Sequence, residues 1–341
     1  MDSITHLALG ACIGEAVLHK RIGRKALVAG AIAQSLPDID AVASLWLSVP
    51  EDLVAHRGIT HSFFFAIIAA ILLAVVTKRM FATKDLKWST LFFFFCFQLC
   101  LHDVLDTCNA YGTALLEPFS HQRFYFHVLY VADPLFSISL VVAFIALAFY
   151  KQKKDQQRKR WVWIGLLPSC LYLVIAIINK SMVKEQLVRS LQAEHIQYKS
   201  AIITPTPFNT LLWYIVAAKD SGYLVGYRSV FDKKSSLLPF TYYPKNESLL
   251  QQVDTSVDVK ALITFADHYY TVDNTKDTLT FNILRFGQSL GWQDSNARFA
   301  FQYYLNPTYN NSLVVQRGRF KGWNWETIIK MFRRIEGKES N

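Results

Sequence analysis

Residues 88–106 read WSTLFFFFCFQLCLHDVLD, an apolar run that closes on a histidine and two aspartates. A helix needs roughly 17–25 predominantly apolar residues to cross a bilayer, so residues 88–105 are predicted to span a membrane. His102 and Asp106 lie four residues apart at the end of that helix and therefore share one of its faces. This helix predicts both a membrane fold and a polar site at the end of a span.

Three further apolar stretches approach spanning length, at about residues 61–77, 133–150 and 161–178. Two weaker helical stretches, residues 4–18 and 26–37, would be about 22 Å and 18 Å long at ~1.5 Å per residue, short enough to be tilted or re-entrant. The sequence therefore predicts an α-helical membrane domain of about six helices, four of them spanning.

The second half of the chain has a different composition. Residues 1–178 hold the long apolar runs, whereas residues 179–341 alternate polar and apolar positions as soluble domains do. An amphipathic helix is predicted near Met182–His195, followed by β-like runs such as Leu211–Ala217 and Leu279–Phe286. We expect an integral membrane domain over 1–178 and a β-rich α+β domain over 179–341.

Positive charge in the short loops predicts the orientation of the helices, because Lys and Arg accumulate in loops that stay in the cytoplasm. Three loops hold 14 of the 36 Lys and Arg residues, and the three alternate loops hold two. The basic loops are His19–Lys25, Lys78–Lys87 and Lys151–Arg160, and the alternate loops are residues 1–5, 38–60 and 106–132. This places the N-terminus and the C-terminal domain outside the cytoplasm, in an inner-membrane protein.

The net charge of +10 does not predict a nucleic-acid partner. Such a partner needs a basic face interleaved with aromatic residues, whereas the positive charge here is concentrated in loops between apolar segments. The expected partner is the lipid bilayer. Cys96 and Cys100 would share a helix face, but no further ligand lies nearby, and we predict neither a thiolate metal site nor a disulfide.

Ionisable residues gather at the predicted helix ends that lie opposite the basic loops. Charged groups are costly to bury in a bilayer and usually mark function there. His102 and Asp106 offer an imidazole and a carboxylate, which suits Zn, Mn or Fe rather than Ca. A helix end that enters water would explain the pair equally well. The residues at these ends are His6, Asp38, Asp40, His56, His61, His102, Asp106 and Asp133.

Two shorter elements contribute to this group. Residues 56–62 read HRGITHS, a glycine turn flanked by two histidines, which could aim both imidazoles and Arg57 at one anion. Thr60 or Ser62 could instead cap the following helix, but capping leaves the histidines and the arginine unexplained. Residues 37–40 read PDID, where proline ends a helix and two carboxylates follow, although such a turn is common by itself.

Other polar residues are weaker candidates. His6 by itself would favour a structural role. His121 and His127 could be either metal ligands or solvated side chains. Asp133, which precedes Pro134, could be either a metal ligand or a helix cap. Three histidines in a basic loop or in the C-terminal domain are predicted to be structural: His19, His195 and His268.

Taken together, the elements resemble those of a known family. Pro-Asp-x-Asp, His-Arg-Gly-x-Thr-His-Ser and His-x-x-x-Asp look like the motifs of the predicted membrane-bound metal-dependent hydrolases, the YdjM-like family, over about residues 1–150. Their order is more distantly similar to that of zinc-dependent phospholipase C and the related single-strand nucleases. The resemblance implies a metal-dependent hydrolase.

The distant resemblance also implies a distribution of ligands. The residues that would hold one metal are Asp38, His61, His102 and Asp106. Asp106 would bridge to a second metal held by His6. The soluble enzymes continue with a further histidine and a His-x-x-x-Glu helix, which this sequence does not show, so neither a third zinc nor a direct transfer of their mechanism is implied.

These observations predict a membrane-bound metal-dependent hydrolase whose expected metal is Zn, with Mn or Fe as alternatives. A metal with an open position lowers the pKa of bound water toward 7 and so supplies hydroxide. Arg57, the only basic residue in its loop, is predicted to be catalytic by binding a substrate phosphate. The location favours a phosphate ester of a lipid-like or amphiphilic substrate. The candidate metal ligands are His6, Asp38, Asp40, His56, His61, His102 and Asp106.

The alternative is a non-catalytic metal-binding membrane protein, such as a carrier or a scaffold for the C-terminal domain. Transport usually needs polar residues near the bilayer midplane. The runs Phe63–Val76 and Leu135–Tyr150 are apolar apart from Ser137 and Ser139, which disfavours a permeation path but leaves a scaffold open.

Overall fold

The chain forms two compact units. The first contains Met1–Leu45 and Ala55–Ile175, and the second contains Trp46–Val54 and Ala176–Asn341. The structure is a computed structural model that describes residues 1–81, 86–149, 155–253, 257–275, 278–294, 296–306 and 323–337.

Side-chain caps fix the starts of two helices that lead into or out of the polar residues. α1 follows Asp2, whose carboxylate accepts a hydrogen bond from Thr5 N at 3.0 Å. α4 follows Ser62, whose hydroxyl accepts one from Phe65 N at 3.1 Å, so Ser62 rather than Thr60 is the cap. The helices before the first strand are α1 (Ser3–Ile22), α2 (Lys25–Ser35), the 3₁₀ helix η1 (Pro37–Leu45), α3 (Val49–Ala55), the 3₁₀ helix η2 (Ile59–His61), α4 (Phe63–Met80), α5 (Trp88–Thr107), α6 (Pro134–Phe149) and α7 (Asp155–Ala193).

Three of the described helices, α4, α5 and α7, are long and apolar enough to cross a membrane. α2 and η1 meet the same criterion as a pair bent by 54°. The predicted spans at 61–77, 88–105 and 161–178 are therefore present. The fourth, at 133–150, contains α6, whose 16 described residues fall short of that length. The predicted helical membrane domain is confirmed.

α7 differs from the prediction in its length. The sequence predicted an apolar span over 161–178 and a separate amphipathic helix near Met182–His195, but one helix of 39 residues covers both. The residues between them, Asn-Lys-Ser at 179–181, include neither glycine nor proline, so nothing in the chain stops the helix there. Pro168 lies inside the helix and does not end it.

Glycine lets α1 and α2 pack closely against each other. A Cβ built on Gly30 would lie 1.9 Å from Gly10 O, and one built on Gly10 would lie 2.2 Å from Gly30 O. Small residues permit such close approach between membrane helices. Two buried amides tie α5 to this pair, since Gln34 Nε2 donates to Gln98 O at 2.7 Å and Gln98 Nε2 donates to Gly10 O at 3.1 Å. The three helices therefore hold one another in register.

The second unit is rich in antiparallel β-structure, as predicted. β1 (Ser200–Pro205), β2 (Leu212–Ala218), β3 (Gly222–Ser229) and β4 (Thr241–Pro244) form one sheet in that order, and β5 (Tyr270–Thr275), β6 (Thr278–Gln288) and β7 (Phe299–Tyr304) form another. Val183 and Leu187 on the end of α7 pack against Trp213 and Ile215 of β2. The described part of this unit also contains the 3₁₀ helix η3 (Glu247–Gln252) and the short helices α8 (Val259–Phe265) and α9 (Trp325–Ile335).

Candidate metal centre

Four predicted ligands converge in the first unit. Asp38 comes from η1, His61 from η2, and His102 and Asp106 from α5. One ligand atom from each lies within 4.8 Å of the others. His61 Nε2 is 3.6 Å from Asp38 Oδ1 and 3.5 Å from Asp106 Oδ2, and His102 Nε2 is 3.7 Å from each of the same two oxygens. Tetrahedral ligands of zinc are about 3.4 Å apart, so this spacing suits a divalent cation.

Three of the four ligand atoms are buried and make no hydrogen bond of good geometry among the described residues, although one of them, Asp106 Oδ2, lies 3.0 Å from Arg57 Nε. They are His61 Nε2, His102 Nε2 and Asp106 Oδ2. An unsatisfied buried polar atom costs about 1–3 kcal/mol and is rare in native proteins, so three in one place require an explanation. A cation between them satisfies all three. The side chain of Asp38 is 21% exposed and marks the side from which the group is reached.

The far nitrogens of both imidazoles are already occupied. His102 Nδ1 lies 2.6 Å from Gln34 O. Because a carbonyl oxygen only accepts, Nδ1 must carry the proton, and the lone pair of His102 is left on Nε2, toward the centre. His61 Nδ1 lies 3.3 Å from Asp40 Oδ2, an arrangement that fixes the same tautomer.

The carboxylates of Asp38 and Asp40 favour positive charge on His61. Burial opposes protonation of His61, but the adjacent carboxylates of Asp38 and Asp40 outweigh it and raise the pKa of this histidine above its usual value.

His6 lies on the other side of Asp106. Its Nε2 is 3.2 Å from Asp106 Oδ1, whereas Asp106 Oδ2 faces the four-residue group. The His6 ring stacks on that of His102 with centroids 3.8 Å apart, and its Nδ1 lies 3.1 Å from Gln34 Oε1. The α-amino group of Met1 also contacts Asp106 Oδ1. The two oxygens of Asp106 thus face different sets of polar groups.

Arg57 is buried beside the same carboxylate. Its Nε lies 3.0 Å from Asp106 Oδ2, its Nη1 donates to Asn109 Oδ1 at 2.9 Å, and its Nη2 donates to Met1 O at 3.3 Å. The guanidinium lies 5.1 Å from the centre of the Tyr111 ring. Arg57 therefore belongs to the metal centre and holds Asp106 in place.

Residues 1–183 match the family model described as YdjM inner membrane protein. This chain belongs to that family. It is 33% identical to inner membrane protein YbcI of Escherichia coli (strain K12) over 125 residues, which cover 36% of this chain and 70% of YbcI. It is 28% identical to uncharacterized protein YfhP of Bacillus subtilis (strain 168) over 298 residues, covering 81% and 84% of the two chains. No solved structure matches it.

Membership of the YdjM family confirms the family resemblance and the prediction of an integral inner-membrane protein. The matched residues include the four-residue group and all the helices that are long and apolar enough to span, apart from the last residues of α7. The candidate metal centre therefore lies in the part of the chain that matches the YdjM family model.

Besides His6, two predicted ligands, Asp40 and His56, lie outside the four-residue group in this YdjM family member. Asp40 accepts a hydrogen bond from Arg57 N at 2.7 Å and lies 3.3 Å from both His56 Nδ1 and His61 Nδ1. It therefore supports the 56–62 turn and orients His61. His56 contacts Asp40 from a partly exposed position. The backbone strain of this turn falls on Arg57, with φ of 60°, and not on Gly58.

The remaining candidates have other roles. Asp133 Oδ1 accepts from Leu135 N at 3.0 Å, which is the capping role, and Asp133 Oδ2 accepts from Tyr172 OH at 2.8 Å. His121 is exposed, and its Nδ1 lies 2.6 Å from Glu117 Oε1. The four-residue group does not include His19, His127, His195 or His268.

Two residues of the centre were not singled out from the sequence. Asn109 and Gln34 are both fully buried, and they position Arg57 and the two stacked histidines respectively. Asn109 follows Asp106 by three residues, which is a detectable signal because it continues the His-x-x-x-Asp element. Gln34 is a polar residue in an apolar helix, and such residues usually mark function or helix contacts.

Proposed function

We propose that this protein is a metal-dependent hydrolase whose cation is held by Asp38, His61, His102 and Asp106. The single observation that carries the proposal is the set of three buried ligand atoms that make no hydrogen bond of good geometry, beside a partly exposed carboxylate. Two imidazoles and two carboxylates suit Zn, with Mn or Fe as alternatives. When bound, such a cation lowers the pKa of a coordinated water toward 7.

The protein residues around the cation have distinct parts in this proposal. Asp40 and the Gln34 carbonyl hold the two imidazoles in the tautomer that binds metal. Arg57 holds Asp106 and adds a fixed positive charge within the centre. Asp38, the exposed ligand, lies on the side from which a substrate arrives. His6, facing the second oxygen of Asp106, is proposed to hold a second cation there.

The proposed substrate is a phosphate ester. Arg57 is a buried guanidinium next to a proposed cation, and this pairing stabilises the charge that develops on phosphate oxygens. Its present contacts are with a carboxylate, an amide and a backbone carbonyl, which are the kinds of oxygen that a phosphate oxygen replaces. Hydrolysis of an acyl ester develops less negative charge in the transition state, so it depends less on the guanidinium of Arg57.

An amphiphilic substrate is favoured by the surface of η1. A 3₁₀ helix has three residues per turn, so Ile39, Val42 and Leu45 lie along one line. Their side chains are 54%, 50% and 80% exposed. The same short helix carries Asp38, so an apolar, exposed surface adjoins the open side of the centre. A lipid-like molecule can rest on that line with its phosphate at the cation.

A non-catalytic metal carrier or scaffold is the second candidate. It is favoured by the number of protein ligands, because four protein atoms around one cation can leave no position open for water. A hydrolase requires the cation to take a fifth ligand from the side of Asp38. The two functions therefore differ in whether the metal-loaded protein turns over substrate.

The test begins with metal analysis of detergent-purified protein and continues with phosphodiester, phosphomonoester and acyl-ester substrates. We expect stoichiometric metal and hydrolysis of a phosphate ester, lost on chelation and restored by the metal. His121→Ala is the matched control for His102→Ala, since it removes an exposed imidazole outside the centre. Metal-loaded protein that hydrolyses no substrate class would favour the carrier or scaffold.

A further inference from the structure

A second cluster of charged residues lies far along α1 from the metal centre. Glu15 and Arg158 form a buried ion pair, with Arg158 Nε 2.5 Å from Glu15 Oε1 and Nη2 2.9 Å from Oε2. They are 4% and 1% exposed. Lys20 follows His6 by 14 residues, which is about 21 Å along the helix. No residue of this cluster belongs to the metal centre.

The ion pair forms the floor of a cleft between α1 and the first turns of α7. The cleft has a volume of about 360 Å³. Its rim carries Lys20 and Lys159, both exposed, and the side chain of neither forms a hydrogen bond or ion pair within the described part of the chain. Its wall is apolar and includes Val162, Trp163 and Leu166. The cleft thus combines two cationic side chains at its rim with an apolar wall.

The charges of the cleft sum to a positive value. Glu15 is neutralised by Arg158, and His19 Nδ1 lies 3.0 Å from Glu15 Oε1. Asp155, on the rim, lies 4.0 Å from His19 Nε2 and opposes one lysine. With histidine neutral, the lining has three positive and two negative groups, a net charge of +1.

The position of the cleft matches the depth of lipid headgroups. The apolar run of α7 starts at Trp161. The charged cleft residues on α7 come before this run, and the residues of the apolar wall lie within it. Basic pockets between membrane helices bind anionic lipid headgroups at this depth. Trp163, 59% exposed, is an amphipathic ring suited to the same interface.

We propose that this cleft binds the phosphate of an anionic phospholipid between Lys20 and Lys159, with an acyl chain along Val162, Trp163 and Leu166. The buried Glu15–Arg158 pair closes the floor without attracting a further ion. The proposal is independent of the function of the metal centre.

Native mass spectrometry of the full-length protein in detergent tests it, with phosphatidylglycerol, phosphatidylcholine or inorganic phosphate added. We expect wild-type protein to prefer phosphatidylglycerol. The double variant Lys20→Gln/Lys159→Gln should lose that preference by roughly 5-fold per lysine, or about 25-fold. Lys234→Gln/Lys260→Gln, which removes the same charge from exposed sites in the second unit, should retain it.

A further variant separates the cleft from general electrostatic attraction. Ala16→Trp leaves every charge in place and fills the cleft, so it should also lose phosphatidylglycerol. Thermal unfolding of each variant in detergent reports whether the fold is intact. Equal binding of the two lipids, unchanged binding in Ala16→Trp, or inorganic phosphate binding as tightly as phosphatidylglycerol would each overturn the proposal.

Discussion

His102 and Asp106 are the residues at which the metal assignment is most directly tested. Alanine at either position removes one of four converging atoms and leaves the apolar surface of α5 intact. We expect each variant to remain folded and to bind metal at least 10–100-fold more weakly, since losing even an outer partner of a ligand costs about that much. Metal analysis against a series of chelators measures the change. Full occupancy in both variants would show that the pair is structural.

Arg57→Lys separates metal binding from turnover. Lysine keeps the positive charge but cannot contact Asp106, Asn109 and the Met1 carbonyl from one planar group. We expect metal content at saturating metal to be retained and hydrolysis of a phosphate ester to fall about 10–100-fold, the cost of a lost charge-stabilising donor being of that order. The matched control is Arg189→Lys on the exposed surface of α7. Unchanged rate and substrate affinity would remove the residue-level support for a phosphate substrate.

The sequence predicted the convergence of ligands better than their individual parts. His102 and Asp106 follow from helix periodicity alone. Asp38 and Asp40 could not be told apart, because they lie two residues apart on a 3₁₀ helix, about 240° around its axis, and only the packing of η1 decides which faces the centre. Asp40 instead orients His61. Contacts such as Arg57 with Asn109 join residues distant in sequence and leave no local pattern.

Among the helices, the contact of α1 with α2 makes the sharpest prediction. Gly30→Val places a branched side chain where a single Cβ already overlaps the Gly10 carbonyl. We expect the helices to separate, with a loss of about 1–3 kcal/mol in stability and weaker metal binding, because Gln34 on α2 orients His6 and His102. Thermal unfolding and metal analysis measure the two effects. Ala29→Val, which places the same side chain at a partly exposed position, should change neither.

An unchanged metal affinity in Gly30→Val would show that the α1–α2 contact does not position the ligands.

The helices themselves were largely predictable, since apolar length identifies α4, α5 and α7. The chain bends between Ser35, the end of α2, and Pro37, the start of η1, because proline does not continue α2. The sequence predicted this bend only as the end of a helix. The continuity of α7 was missed because its change in composition resembles a boundary, although backbone hydrogen bonds do not depend on composition.

For the whole molecule, the distribution of charge predicts orientation. A reporter fused after Asn341 should lie outside the cytoplasm, and one inserted within Lys151–Arg160 should lie in the cytoplasm. The reason is that 14 of the 16 Lys and Arg residues in these loops lie in the three loops predicted to be cytoplasmic. Protease protection of the two fusions in intact cells provides the measurement. The reverse result would move the proposed metal centre to the cytoplasmic face and remove the argument that gathered its ligands on the outer one.

The β-rich character of the second unit was predictable, whereas its pairing was not. Leu211–Ala217 and Leu279–Phe286 correspond to β2 and β6, since alternating apolar residues favour strands. The order of the strands depends on contacts between sheets and loops, and the periodicity of a strand does not predict these contacts. The division into two sheets of four and three strands therefore required the structure.

The ligands of the proposed metal centre have a further consequence when the chain is considered in its order of synthesis. Asp38 and Asp106 are separated by 68 positions, with His61 between them. A nascent chain that has not yet reached α5 presents Asp38 and His61 alone, which are too few to hold a cation firmly. The complete set can form only after α5 has entered the membrane, so metal uptake by the proposed centre is expected to follow insertion of the bundle. A bound ion would then join three segments that were synthesised at different times.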